Sequence, residues 1–155
     1  MELKENITGQ KAVYKTEANI KIANGYLEVD FVSHHPSMNS YSNKYNDAIY
    51  NADVVEIFLS TKEDKKYYYE IEVAPNNTVF LAEIYNDGKS FKGSLIDDCF
   101  IKTSSKEENG KWLVNILIPL DKVGYDPKRG IEYNLYRIDT DGEVPNKYLF
   151  ALNPT

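Results

Sequence analysis

Cysteine is nearly missing from this chain. Cys99 stands alone among 155 residues, which excludes a disulfide within the chain and a cysteine-built zinc site. Its thiol reads as a small buried side chain rather than a reactive one. The two histidines, His34 and His35, are adjacent, and neighbours on an extended strand point to opposite faces. They make a poor pair of ligands for one ion. Positive charge is also short. Eighteen Lys and Arg face 24 Asp and Glu, a net charge of −6, which argues against nucleic acid and anionic membrane surfaces as partners. No run of about 18 apolar residues is present, so no membrane insertion by a helix is expected. Met1–Asn6 has no apolar stretch of the kind a secretory leader carries. Glycine-rich phosphate loops, nucleotide fingerprints and nucleophile elbows are missing as well.

What the chain has in quantity is tyrosine, 13 of them, together with alternating Val, Ile and Phe. These residue types favour strands, and period-2 alternation outweighs any helical pattern. Residues 18–22 and 26–32 flank Ala23–Gly25, where Asn-Gly supplies the positive φ of a tight hairpin turn. Ile20, Ile22, Leu27, Val29 and Phe31 are expected to face a core. Ser33–Ile49 is a long polar segment and reads as a binding loop. Strand-like runs follow at 54–59, 67–73, Thr78–Tyr85, Cys99–Thr103, Lys111–Ile118, Ile131–Asp139 and Tyr148–Leu152. Asn86–Asp98 reads as loop and Ser104–Gly110 as a charged turn. About nine or ten short strands without repeats predict an all-β fold, an antiparallel β-sandwich. The length fits one domain over 1–155, with 1–11 loosely ordered.

The richest stretch is Tyr50–Val73. If its two strands pair symmetrically about Ser60–Lys66, Leu59 meets Tyr67, Ile57 meets Tyr69 and Val55 meets Ile71. That face is core. The other face collects Val54, Glu56, Phe58, Tyr68, Glu70 and Glu72, with Glu56 opposite Glu70. Like charges so placed cost up to roughly 1 kcal/mol, unless a sugar hydroxyl, a cation or an arginine lies between them. Arg137 is the candidate arginine.

Here the chain resembles the family 9 carbohydrate-binding modules and their DOMON-like relatives. The matching pieces are Asp53–Ser60, Tyr68–Asn77, Trp112–Pro119, Tyr133–Ile138 and Ala151–Thr155, in the same order and spacing over roughly residues 12–155. The resemblance implies a jelly-roll-like sandwich, an extracellular setting and non-catalytic binding of a mono-, oligo- or polysaccharide. The family clamps a terminal sugar between two tryptophans. Tyr50 corresponds to one of them and still offers a stacking ring; Leu152 corresponds to the other and offers none. Phe150, Tyr148 or a tyrosine from Ser33–Tyr50 is the candidate substitute. The motif glutamate corresponds to Glu56 and the amide-rich turn to Asn76 and Asn77, so Glu56, Glu70, Asn76, Asn77 and Arg137 are the expected polar contacts. Trp112, by alternation with Val114, Ile116 and Ile118, belongs to the core.

Two other chemistries fit some residues. Paired carboxylates resemble a glycosidase pair, but no acid has a sequence reason for a raised pKa, and the expectation is a non-enzyme. Calcium takes loop oxygens; Asp139, Asp141 and Glu143 are candidates, as are Asn46, Asp47, Asn51 and Asp53. An accessory or protein-interaction domain that has lost the sugar site is the alternative function. The sequence leaves oligomeric state and compartment open.

Overall fold

The structure, a computed structural model, describes residues 1–34, 36–142 and 147–155. Among these residues eleven strands form two antiparallel sheets. The strands are β1 (Lys4–Glu5), β2 (Thr16–Ala23), β3 (Tyr26–His34), β4 (Val54–Ser60), β5 (Tyr67–Val73), β6 (Val79–Asn86), β7 (Phe91–Leu95), β8 (Lys102–Glu108), β9 (Lys111–Pro119), β10 (Glu132–Asp139) and β11 (Tyr148–Ala151). The larger sheet runs β1-β11-β10-β4-β5-β6-β7 and the smaller β2-β3-β9-β8. This is an antiparallel β-sandwich, as the alternation predicts.

The core lies between the sheets because each strand offers it every second side chain. Leu27, Val29 and Phe31 of β3 and Trp112, Val114, Ile116 and Ile118 of β9 meet Val55, Ile57 and Leu59 of β4, Ile71 and Val73 of β5, and Leu81 and Leu135. Trp112 is fully buried there. Its Nε1 donates to Ser105 Oγ at 2.8 Å, and that hydroxyl donates to the Pro75 carbonyl at 2.8 Å. The β2–β3 hairpin turns at Asn24 and Gly25, both at positive φ (51° and 79°), the geometry an Asn-Gly turn favours.

Several expectations need correction. The β4–β5 register is Leu59 with Tyr69, Ile57 with Ile71, Val55 with Val73 and Glu56 with Glu72, two residues from the symmetric pairing. The cause is a turn placed late in the loop: the Tyr67 amide donates to the Asp64 carbonyl, and the Lys66 amide to Asp64 Oδ1. A shift of two leaves both faces unchanged. β7 occupies part of the expected loop Asn86–Asp98, and β8 runs through the expected turn Ser104–Gly110. Both are edge strands, almost wholly exposed, so pairing rather than burial makes them strands. Charged side chains on β8 also suit an unpaired edge. Residues 1–11 are tied down. β1 pairs with β11, Leu3 is fully buried, and the Leu3 and Ala18 amides donate to the Thr16 and Met1 carbonyls. Ile22 is half exposed at the end of its strand, and Cys99 is exposed rather than buried.

Candidate functional site

The outer face of the larger sheet is where the sequence's acids gather. Alternation puts Glu56 and Phe58 of β4, Tyr68, Glu70 and Glu72 of β5, Phe80, Ala82 and Ile84 of β6, and Phe91, Gly93 and Leu95 of β7 on this side. Cross-strand register then sets neighbours: Glu56 opposite Glu72, Phe58 opposite Glu70, Glu72 opposite Phe80 and Glu70 opposite Ala82. Carboxylate oxygens of Glu56, Glu70 and Glu72 consequently lie within 4.8 Å of one another.

The face is outer but not bare. The segment between β3 and β4 folds back over it, ending in a 3-10 turn at Ile49–Asn51. Ile49 is fully buried beside Val54 and Ala74, with Phe80 and Ile138 packed against them. Asn46, at φ +62°, pins this segment: its Oδ1 accepts from the Leu81 amide at 2.8 Å and its Nδ2 donates to the Ile96 carbonyl at 2.9 Å. Between the segment and the sheet is a cavity of about 520 Å³, within the range of small-molecule sites. Its floor is the three glutamates with Ala82 and Gly93. Its walls include Tyr50, Phe80 and Phe91. Tyr50 meets Phe80 edge to face, with ring centres 5.9 Å apart. Gly93 leaves room in the floor: a Cβ there would stand 3.3 Å from Ile84 Cδ1.

Burial governs the acids. Glu72 is 1% exposed and Glu56 6%, while Glu70 is half-buried. Glu72 Oε2 is buried without an N–H donor among the described residues, and the Glu72 carboxyl has that of Glu70 as its hydrogen-bonding neighbour. Loss of water disfavours the charged form. It pushes Glu56 up to about 8, with the Glu70 charge adding to it. It pushes Glu72 up to about 10, with the Glu56 and Glu70 charges adding to that. Glu70 is raised too, mainly by burial. Contrary to the sequence expectation, these acids therefore have a physical reason for raised pKa values. Among the described residues no Lys, Arg or His lines the cavity to offset them.

The other expected contacts divide. The structure brings Tyr50, Glu56 and Glu70 together. Arg137 is elsewhere: it pairs with Val55 in register, so it points to the core face, opposite the acids. There it is 1% exposed, ion-paired to Asp139, donating to Thr16 Oγ1 at 2.8 Å and lying 5.7 Å from the Phe150 ring. Asn76 and Asn77 form the β5–β6 turn away from the cavity. Asn76 Nδ2 donates to the Ser42 carbonyl at 2.9 Å, and Asn77 adopts the positive φ the turn needs. Leu152 packs against the core, Phe150 is buried in it, and Tyr148 stacks edge to face on Tyr14. None of these supplies the other plate; Phe80 and Phe91 stand in the cavity instead.

The calcium candidates are already occupied by protein donors. Asp139 holds Arg137 and accepts from the Asp141 amide at 2.8 Å, and Asp141 accepts from the Tyr14 hydroxyl at 2.7 Å. Asp53 accepts from the Thr140 amide and hydroxyl, the Asn39 amide and the Ser37 hydroxyl. Asp47 accepts from Ser42 Oγ, and Asn51 Nδ2 donates to the Ala48 carbonyl. Glu143 and His35 lie outside the described residues. His34 stands 3.1 Å from Glu17 Oε2.

No family model matches the chain. An Arthroderma benhamiae protein named only "Extracellular protein" is 36% identical over 127 residues, covering 72% of this chain and 57% of its own length. The chain thus spans little more than half of that relative. A crystallised Bacteroides uniformis protein, described provisionally as carbohydrate-binding, superposes with a TM-score of 0.78 at 13% identity, over 100% of this chain and 77% of the other. That likeness is one of fold.

Proposed function

We propose that this protein binds a saccharide non-covalently in the cavity above Glu56, Glu70 and Glu72. The observation that carries the reading is one arrangement: aromatic rings of Tyr50, Phe80 and Phe91 walling a cavity whose polar floor is a carboxyl cluster with an oxygen that no N–H donor meets among the described residues. Sugars present apolar C–H faces for rings and hydroxyls for hydrogen bonds, and this site offers both kinds of contact. A neutral carboxyl both donates and accepts, which suits hydroxyls well. The resemblance to family 9 carbohydrate-binding modules, with Tyr50 and Glu56 as contacts, supports the reading. So do the provisional description of the Bacteroides uniformis neighbour and the name of the Arthroderma benhamiae relative, which favours an extracellular setting. We take residues 1–155 as one binding module.

A hydrolase reading has one observation in its favour, the raised Glu56. It lacks the spacing such enzymes need, roughly 5–9.5 Å between two carboxyl groups that flank the bond. Here oxygens of the three carboxyls lie within 4.8 Å of one another. An arylglycoside assay should therefore show no turnover above buffer.

The test of binding is a glycan array followed by calorimetry on the hits, with folding checked by thermal melting. A hit whose affinity falls at least about tenfold in Phe80→Ala, the cost of about 1.4 kcal/mol expected for a lost ring contact, supports the site. No hit from a folded protein contradicts the function.

A further inference from the structure

The three glutamates are an unusual floor for a site that takes only neutral sugars. Two are almost wholly buried, and Glu72 Oε2 has no N–H donor among the described residues. Elsewhere among the described residues the buried acids are satisfied: Asp53 has four donors and Asp139 has Arg137 and the Asp141 amide. A buried carboxyl without such a donor is costly, so the missing donor is informative. Among the described residues no basic side chain lines the cavity, which leaves a cationic ligand group as the donor this floor would take.

We infer that the cavity selects a saccharide carrying a free, protonated amino group, with the ammonium seated among Glu56, Glu70 and Glu72 and the sugar ring against Tyr50 and Phe80. This rests on the saccharide reading and narrows it to amino sugars. An ammonium has three donors, one for each carboxyl of the cluster. Its bonds to them are charge-assisted and stronger than those of a hydroxyl. Aromatic walls reinforce the preference, because ring faces attract a cation. Positive charge also offsets the mutual repulsion and burial that disfavour the ionised forms of these acids. The chain's net charge of −6 works in the same direction at longer range.

A bare divalent cation fits less well. Calcium takes six to eight oxygens. Beyond the three carboxyls, the remaining lining is largely apolar, and the Asn46 amide is already spent on Leu81 and Ile96. The cavity, at about 520 Å³, is also far larger than an ion requires.

The test is calorimetry with three disaccharides that share a β-1,4-linked glucose skeleton and differ at C2: glucosamine disaccharide, its N-acetylated form, and cellobiose. Each is titrated near pH 6, where the amine is protonated. The expected result is glucosamine disaccharide binding at least about tenfold tighter than either of the others. Glu72→Gln, an isostere of the neutral acid, should remove most of that preference while the thermal melt stays cooperative. Should the variant fail to fold, the wild-type series still decides. Equal or tighter binding of cellobiose or the acetylated sugar overturns the inference and leaves the saccharide reading standing. No binding of the glucosamine disaccharide, with other glycans bound on the array, does the same. No binding of any sugar, or tight binding of calcium chloride instead, overturns both.

Discussion

Glu72 concentrates the chemistry of this molecule in a single side chain. It sits at 1% exposure with Glu56 across the strand pair, and its Oε2 meets no N–H donor among the described residues. Native Glu56 and Glu72 both titrate above the ordinary 4.5, so between pH 4.5 and about 8 the folded chain holds more protons than the unfolded one. Stability from these groups is complete below pH 4.5 and falls as pH rises through that window. The slope is up to about 1.4 kcal/mol per pH unit for each proton. Glu72→Gln keeps the shape of the neutral acid and cannot ionise. Urea unfolding at a series of pH values should show a shallower decline for the variant, with the variant more stable than wild type at pH 8. Parallel curves would place the buried charge elsewhere. Arg137 is the opposite case, a buried charge with its counter-ion supplied by Asp139 within the fold.

The elements were legible in proportion to how much each strand buries on one face. The β2–β3 hairpin carries its turn chemistry in Asn24 and Gly25, and β9 carries alternation from Trp112 to Ile118, so both follow from local pattern. The faces of β4 and β5 also followed, since parity survives a register shift of two. The register itself did not, because it depends on where a seven-residue loop tightens, at Asp64–Tyr67. Arg137 shares parity with the buried Leu135, and that alternation places it in the core; its charge suggested the acids instead. β7 buries nothing, so no alternation marks it. The aromatic wall was hidden for another reason: Phe80 joins the acids only through the β5–β6 pairing, and Tyr50 through a returning loop. At the same scale, β1 closes the larger sheet with just two residues, and Leu3 beside it is fully buried. Leu3→Ala should cost about 2–5 kcal/mol in urea unfolding. A loss below about 1 kcal/mol would mean that the N-terminal segment contributes little to the fold.

Across the whole molecule the two sheets play different parts. The smaller sheet's outer face is a solvated surface whose acids have partners of their own: Glu28 pairs with Lys21 at 2.8 Å, and Asp30 accepts from Asn115 at 2.8 Å. The larger sheet's outer face is partly covered by the segment before β4, and there the acids have no partner of opposite charge among the described residues. The carboxyl cluster and its aromatic wall are confined to this one face. Its acids rise from β4 and β5 in the middle of the larger sheet. The most direct test is a backbone and side-chain NMR shift map during titration with the best saccharide from the array. The account predicts shifts concentrated at Tyr50, Glu56, Glu70, Glu72, Phe80 and their strand neighbours. Shifts confined to β2, β3, β8 and β9, or none at saturating sugar, would contradict it.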